Sequence, residues 1–256
     1  MAVLGKLLKY DLRANLKIYL FIWPSLILLA LIDRLSLILD IEGMLGKFFI
    51  MMTTSLFVLA LIAACIISVV ISIVRFYSGL LRREGYLMFT LPVKAWQLVL
   101  SKFLIALLTV AVTVGLSIVL AIFVFSGVEG LLETLSAMLS AGDIPTGISL
   151  ALTILICIVS LCVTILQIYL ACCIGHLFRR MRILFTILFY YAIDITVEAA
   201  ALIAAIGIVG VGVIDNMMIG GSENLLLVII LLLEVGLSCV YYFFSERILR
   251  KHLNLE

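Results

Sequence analysis

Residues Phe48 to Val74 read FFIMMTTSLFVLALIAACIISVVISIV, 27 positions without one charged side chain. An α-helix of that length rises about 40 Å, which exceeds the roughly 30 Å hydrocarbon core of a bilayer. Five further runs of similar character flank it: 16–32, 103–125, 148–174, 183–205 and 225–244. The chain as a whole is 66% apolar and 12% charged, with a mean hydropathy of +1.39, against about 25% charge in ordinary soluble domains. Those values exclude a soluble enzyme, whose surface needs far more polarity. The expected fold is an all-α membrane protein with six transmembrane helices in one transmembrane domain spanning 1–256.

Two runs are irregular. The first carries Pro24, tolerated in a membrane helix where neighbours re-satisfy the freed carbonyl. Beyond the fifth, Gly207, Gly210 and Gly212 extend apolar character to Ile214, a stretch that reads as re-entrant or interfacial. The basic N-terminus is followed by no small-residue cleavage site, so the first span is expected to be retained. The six cysteines all lie in apolar runs without metal-ligand spacing and read as small apolar fillers.

Charge asymmetry gives orientation. Of the 17 Lys and Arg residues, 15 fall on one side: at 6–17, in the 75–102 loop, at 179–182 and at 247–251. Only Arg34 and Lys47 fall on the other, where Asp33, Asp40, Glu42, Glu129, Glu133, Asp143, Asp215 and Glu223 collect. Positive residues are held on the cytoplasmic face, so both termini are expected in the cytoplasm. The loops are too small to fold as domains of their own. Cytosolic work would therefore fall to a partner, and nothing points to a nucleic acid.

Four features carry functional expectations. In residues 1–15, Leu4, Leu7, Leu8 and Leu12 share one side of a helix, while Lys6, Lys9 and Arg13, with Lys17 just beyond, share the other. Such a helix lies on the inner membrane surface, as a topology signal or as a connection to a cytosolic subunit. The loop 75–102, RFYSGLLRREGYLMFTLPVKAWQLVLSK, mixes charge with Tyr86, Leu87, Met88, Phe89 and Leu91, and Pro92 would stop a short helix. These apolar side chains need a cover, either the membrane interface or a partner protein.

Third, Asp194 and Glu198 on the fifth span and Glu234 on the sixth place carboxylates within the apolar runs. Each costs about 2.5–3.5 kcal/mol at the bilayer centre on insertion scales. The 194/198 spacing puts two of them on one helix face. They read either as a substrate path, cation site or proton relay, or as a hydrogen-bond network joining the fifth span to the fourth through Gln167. Fourth, small residues recur on single faces: Ala60, Ala64, Ser68 and Ser72; Ala111 and Gly115; and Cys157, Ser160, Thr164, Gln167, Ala171 and Gly175. Small faces let helices approach closely in lipid or line a path between them. There is no G-x-x-x-x-G-K-[ST] and no H-E-x-x-H, so neither P-loop hydrolysis nor zincin-type proteolysis is expected of this chain.

Glu84-Gly85, then Leu91-Pro92-Val93, Trp96 and Lys102 at the entry to the third span resemble the loop of ABC-2 type (type V) ABC transporter permeases. The basic amphipathic start, six spans and cytoplasmic termini are similar to that family as well, so the likeness covers the whole chain. The resemblance implies a bacterial plasma-membrane exporter subunit whose loop forms a coupling helix docked on a separate P-loop ATPase. Glu84, Gly85, Tyr86, Leu87, Met88, Phe89, Leu91 and Pro92 would make that contact. It further implies a second permease subunit, identical or paralogous, and ATP with Mg bound by the partner ATPase. An amphipathic substrate such as an antimicrobial peptide or drug is also implied. Tyr86 stands where many members carry Thr, and residues 207–224 leave room for only a reduced outer hairpin. Two rivals remain: an ion-coupled secondary transporter using Asp194, Glu198 and Glu234, and a non-transporting membrane scaffold or sensor partner.

Overall fold

A computed structural model describes residues 2–39, 43–81, 95–139, 144–178, 181–210 and 223–252. Six long helices follow one another: α1 (Ala2–Leu39), α2 (Met44–Phe76), α3 (Ala95–Leu139), α4 (Ile144–His176), α5 (Arg182–Gly210) and α6 (Glu223–His252). A π-helical turn, Tyr77–Leu81, continues α2. No strand occurs among the described residues. Many helical positions are Val, Ile or Thr, which favour strands in water. Helix wins because a backbone in lipid must satisfy its own N–H and C=O groups within the segment.

All six helices contain stretches long and apolar enough to cross a bilayer: Leu7–Leu39, Met44–Leu80, Trp96–Ala137, Ile148–His176, Arg182–Ile203 and Leu227–Leu249. The chain is thus a multi-pass membrane protein, all-helical in its described residues. Several helices outrun the apolar runs that mark them. α1 continues without interruption from the basic N-terminal stretch, through Pro24, to Leu39. Asp33 and Arg34, which the charge count assigns to an outer loop, consequently lie inside a helix.

The chain divides into two compact units. The first comprises Met1–Ser72 and Leu104–Gly142. Its core joins Leu26 and Ala30 of α1, Phe57 and Ala64 of α2, and Leu120 and Val124 of α3. The small-residue face of α2 turns inward, with Ala64, Ser68 and Ser72 buried. On α3 the buried polar face is Thr109, Thr113 and Ser117 rather than Ala111 and Gly115; Gly115 is exposed. These hydroxyls donate to carbonyls of their own helix, at 2.9 Å to Ile105, 2.8 Å to Thr109 and 2.8 Å to Thr113. Each polar group is thereby satisfied locally and costs little to bury. Cross-helix bonds then join the pieces: the Tyr19 hydroxyl pairs with Ser68 Oγ at 2.9 Å, and Trp23 Nε1 donates to Thr113 Oγ1 at 3.2 Å.

A break in α3 also belongs to this unit. Gly127 adopts φ 76° and ψ −170°, a backbone conformation open in practice to glycine alone. In the turn before the break, the Val124 carbonyl accepts Arg34 Nη1 at 3.0 Å. A Cβ on Gly127 would occupy the space of that guanidinium. One glycine therefore allows both the bend and the approach of the cation that caps it.

The second unit comprises Ile73–Phe103 and Asp143–Glu256. Within it α4 packs against both α5 and α6. Leu166, Leu170 and Tyr241 form its buried centre, with Phe103, Ile193, Val197 and Leu237 around them. Gly175, at the end of α4, lies against Thr186 of α5 so closely that a Cβ would meet the Thr186 backbone. The small face of α4 is exposed at Cys157 and Thr164 and buried from Gln167 through Ala171 to Gly175.

Candidate functional site

Glu84 to Pro92, the proposed docking element, lies outside the described residues. Both chain segments leading into it are described; both are held by α4, and the trailing one by α6 as well. On the leading side, Phe76 stacks on Tyr169 of α4 with ring centroids 3.8 Å apart and planes 11° from parallel. The next residue, Tyr77, meets the His176 ring edge-on at 5.9 Å. His176 in turn lies 3.3 Å from Arg182 Nη1 at the start of α5.

The trailing side is tied to α4 and to α6. The Tyr169 hydroxyl points to the Lys102 carbonyl at 3.4 Å, a long contact, and the Tyr242 hydroxyl of α6 donates to the Trp96 carbonyl at 2.9 Å. The two sides also touch each other. A Cβ on Gly79, in the π-helical turn, would lie 3.2 and 3.3 Å from the Cε and Nζ atoms of Lys102. Trp96 and Lys102, two residues of the loop motif, thus sit in fixed positions beside the segment. The described flanks are thus joined to α4 through an aromatic stack and to α6 through a hydrogen bond.

The carboxylates of the fifth and sixth spans separate into three environments. Asp194, half-buried, accepts Gln167 Nε2 at 3.2 Å, and the same amide lies 3.5 Å from the Tyr190 carbonyl. This is a bond between α4 and α5, as the packing reading expects. Glu198, one turn further, is exposed and has no hydrogen-bond partner among the described residues. Glu234 is half-buried, and its Oε2 is buried without a hydrogen-bond partner among the described residues. The shared face of positions 194 and 198 does not give them a shared partner. Among the described residues no group of three or more His, Cys, Asp or Glu side chains is placed to hold a metal ion.

Sequence reasoning passed over Tyr169, Tyr242 and Phe76, because single aromatics inside apolar runs carry no distinguishing spacing. Lys102 and Trp96 were legible only as members of the loop motif. No protein-family model, no curated protein and no solved structure matches the chain.

Proposed function

We propose that this chain is the membrane-spanning permease subunit of an ATP-driven exporter of the ABC-2 type. The observation that carries the reading is the double anchoring of segment 82–94: Tyr169 touches both of its flanks, and Tyr242 secures the trailing one. A loop that receives force from a partner must be braced on the helices it is to move. The motif residues Glu84, Gly85 and Leu91-Pro92-Val93 stand between these braces.

On this reading residues 84–92 dock on a separate P-loop ATPase, which binds ATP and Mg. Residues 1–15 rest at the cytoplasmic membrane surface, and both termini are cytoplasmic in a bacterial plasma membrane. A second permease, identical or paralogous, completes the pathway. ATP-driven closure of the ATPase pair would draw the loops together and shift α4 and α6 through Tyr169 and Tyr242. The cargo is an amphipathic molecule taken from the membrane, of the antimicrobial peptide or drug class.

Purification from native membranes in mild detergent tests this reading. A P-loop ATPase is expected with the wild-type chain, and its loss or uncoupling with a Glu84→Arg/Pro92→Gly variant. Absence of any ATPase, under conditions that keep other membrane complexes together, rejects the reading. The second reading, ion-coupled transport, draws on Glu234, whose buried oxygen lacks a hydrogen-bond partner among the described residues, and on Asp194. It requires cation- or proton-driven flux in vesicles containing this chain alone.

A further inference from the structure

Asp33 of α1 is 1% exposed and lies six residues before the helix end at Leu39, about 9 Å along the axis. Its Oδ1 accepts the Thr54 hydroxyl of α2 at 3.0 Å and lies 3.5 Å from Ser36 Oγ. Its Oδ2 is buried and has no hydrogen-bond partner among the described residues. Arg34, the adjacent cation, is directed to the Val124 carbonyl, and no ion pair forms with Asp33 among the described residues.

Counting protons sharpens the picture. A hydroxyl carries one. Ser36 donates to the Asp33 backbone carbonyl at 2.7 Å, and Thr53 donates to the Ile50 carbonyl at 2.9 Å. Yet the Ser36 and Thr53 oxygens lie 2.9 Å apart. Two hydroxyl protons therefore serve at least three contacts, beside a carboxylate that has no counter-charge among the described residues. The cluster is rich in hard oxygen atoms and short of positive charge. Burying an unpaired charge is expensive, so something positive belongs there.

We propose that Asp33, Ser36, Thr53 and Thr54 form a binding site for a monovalent alkali cation of sodium size. Hard oxygen ligands select hard cations. One carboxylate among neutral hydroxyls balances one positive charge, whereas a divalent ion would leave an excess inside the helix bundle. Neighbouring ligands around a calcium-sized ion lie roughly 3.3–3.7 Å apart, √2 times its metal–oxygen distance. The oxygens stand 2.9 to 3.5 Å apart, held by hydrogen bonds, and would have to spread less around a sodium-sized ion than around potassium. Thr53 and Thr54 are half-buried, which leaves the cluster an approach from one side. The site does not depend on the exporter reading, since it lies within the first unit and uses none of the loop residues.

Thermal unfolding of the full chain in mild detergent tests it, with NaCl, KCl or LiCl replacing choline chloride at constant total salt. The expected result is a midpoint that rises saturably with Na+, as single-site binding to the folded state requires. Asp33→Asn should abolish the rise. Thr54→Val, which keeps the carboxylate but removes its orienting hydroxyl, should raise the half-saturating Na+ roughly 10–100-fold, and it serves alone if Asp33→Asn does not fold. Equal midpoints in Na+ and choline would mean that water completes the cluster, and would overturn the proposal. So would a rise that survives Asp33→Asn, or an unchanged half-saturation in Thr54→Val. An equal response to K+ overturns the sodium-sized assignment.

Discussion

Tyr169 of α4 lies face to face with Phe76 at the end of α2, 3.8 Å between ring centroids. The same tyrosine extends its hydroxyl toward the Lys102 carbonyl, so that a single side chain grips both approaches to residues 82–94. On the exporter reading, this contact would pass movement of the segment to α4.

The two functions of Tyr169 separate by substitution. Tyr169→Phe keeps the stack and gives up the long hydrogen bond to the Lys102 carbonyl, a bond worth about 0.5–1.5 kcal/mol. Tyr169→Ala removes a buried aromatic and is expected to cost about 3–5 kcal/mol. Equilibrium unfolding in detergent orders the variants. If the two prove equal, the stack is not what holds the leading side of the segment.

Gly127 and Arg34 should respond as a pair. Gly127→Ala forces a side chain into a positive-φ position and into the guanidinium, at about 1–3 kcal/mol for the backbone strain alone. Arg34→Met removes the donor to the Val124 carbonyl, a charged hydrogen bond of about 1.5–3 kcal/mol. The double variant should cost less than the sum of the two, because Arg34→Met also clears part of the clash. A double-mutant cycle measures that coupling, and strict additivity would show that the two residues do not share the space described.

Glycines on different helices make opposite predictions. At Gly175 a Cβ would meet the Thr186 backbone, so Gly175→Ala should destabilise the α4–α5 packing by about 1–3 kcal/mol. At Gly115 nothing lies within 4 Å, and Gly115→Ala should stabilise α3 by about 0.5–1 kcal/mol through helix propensity. Unfolding midpoints of the two alanine variants should fall on opposite sides of wild type.

The spans themselves were legible because lipid imposes length and charge rules on each helix separately. Six uncharged or nearly uncharged runs correspond to six long helices, and the period-four face Ala64, Ser68, Ser72 is buried as small faces predict. What faces what was not legible. Asp33 and Arg34 read as loop residues because charge ordinarily marks a span's end. Their places inside α1 depend on Thr54, 21 residues away, and on the Val124 carbonyl, 90 residues away. The break at Gly127 gives no signal in the sequence, where Gly130 follows three residues later, just past the third apolar run. On the fifth span, helical spacing placed Asp194 and Glu198 on one face but could not tell that Gln167 reaches only the first.

That difference between the two acids is itself testable. Asp194→Leu deprives the Gln167 amide of its side-chain acceptor and should cost about 1–3 kcal/mol, whereas Asp194→Asn keeps an acceptor and should cost less. Glu198→Gln, at an exposed position without a hydrogen-bond partner among the described residues, should change stability by less than about 0.5 kcal/mol. Denaturant titration in detergent gives all three values, and a Glu198→Gln loss as large as that of Asp194→Leu would contradict the assignment.

The most direct test of the exporter reading is photo-crosslinking in native membranes from a photoreactive residue placed at Tyr86, followed by identification of the adducts. The account predicts a covalent adduct with a P-loop ATPase, lost when Pro92 is changed to Gly, while the same probe placed at the lipid-exposed Ile195 captures no ATPase. Adducts at Tyr86 that contain lipid but no ATPase would contradict the central claim and leave ion-coupled transport through Asp194 and Glu234 as the reading to pursue.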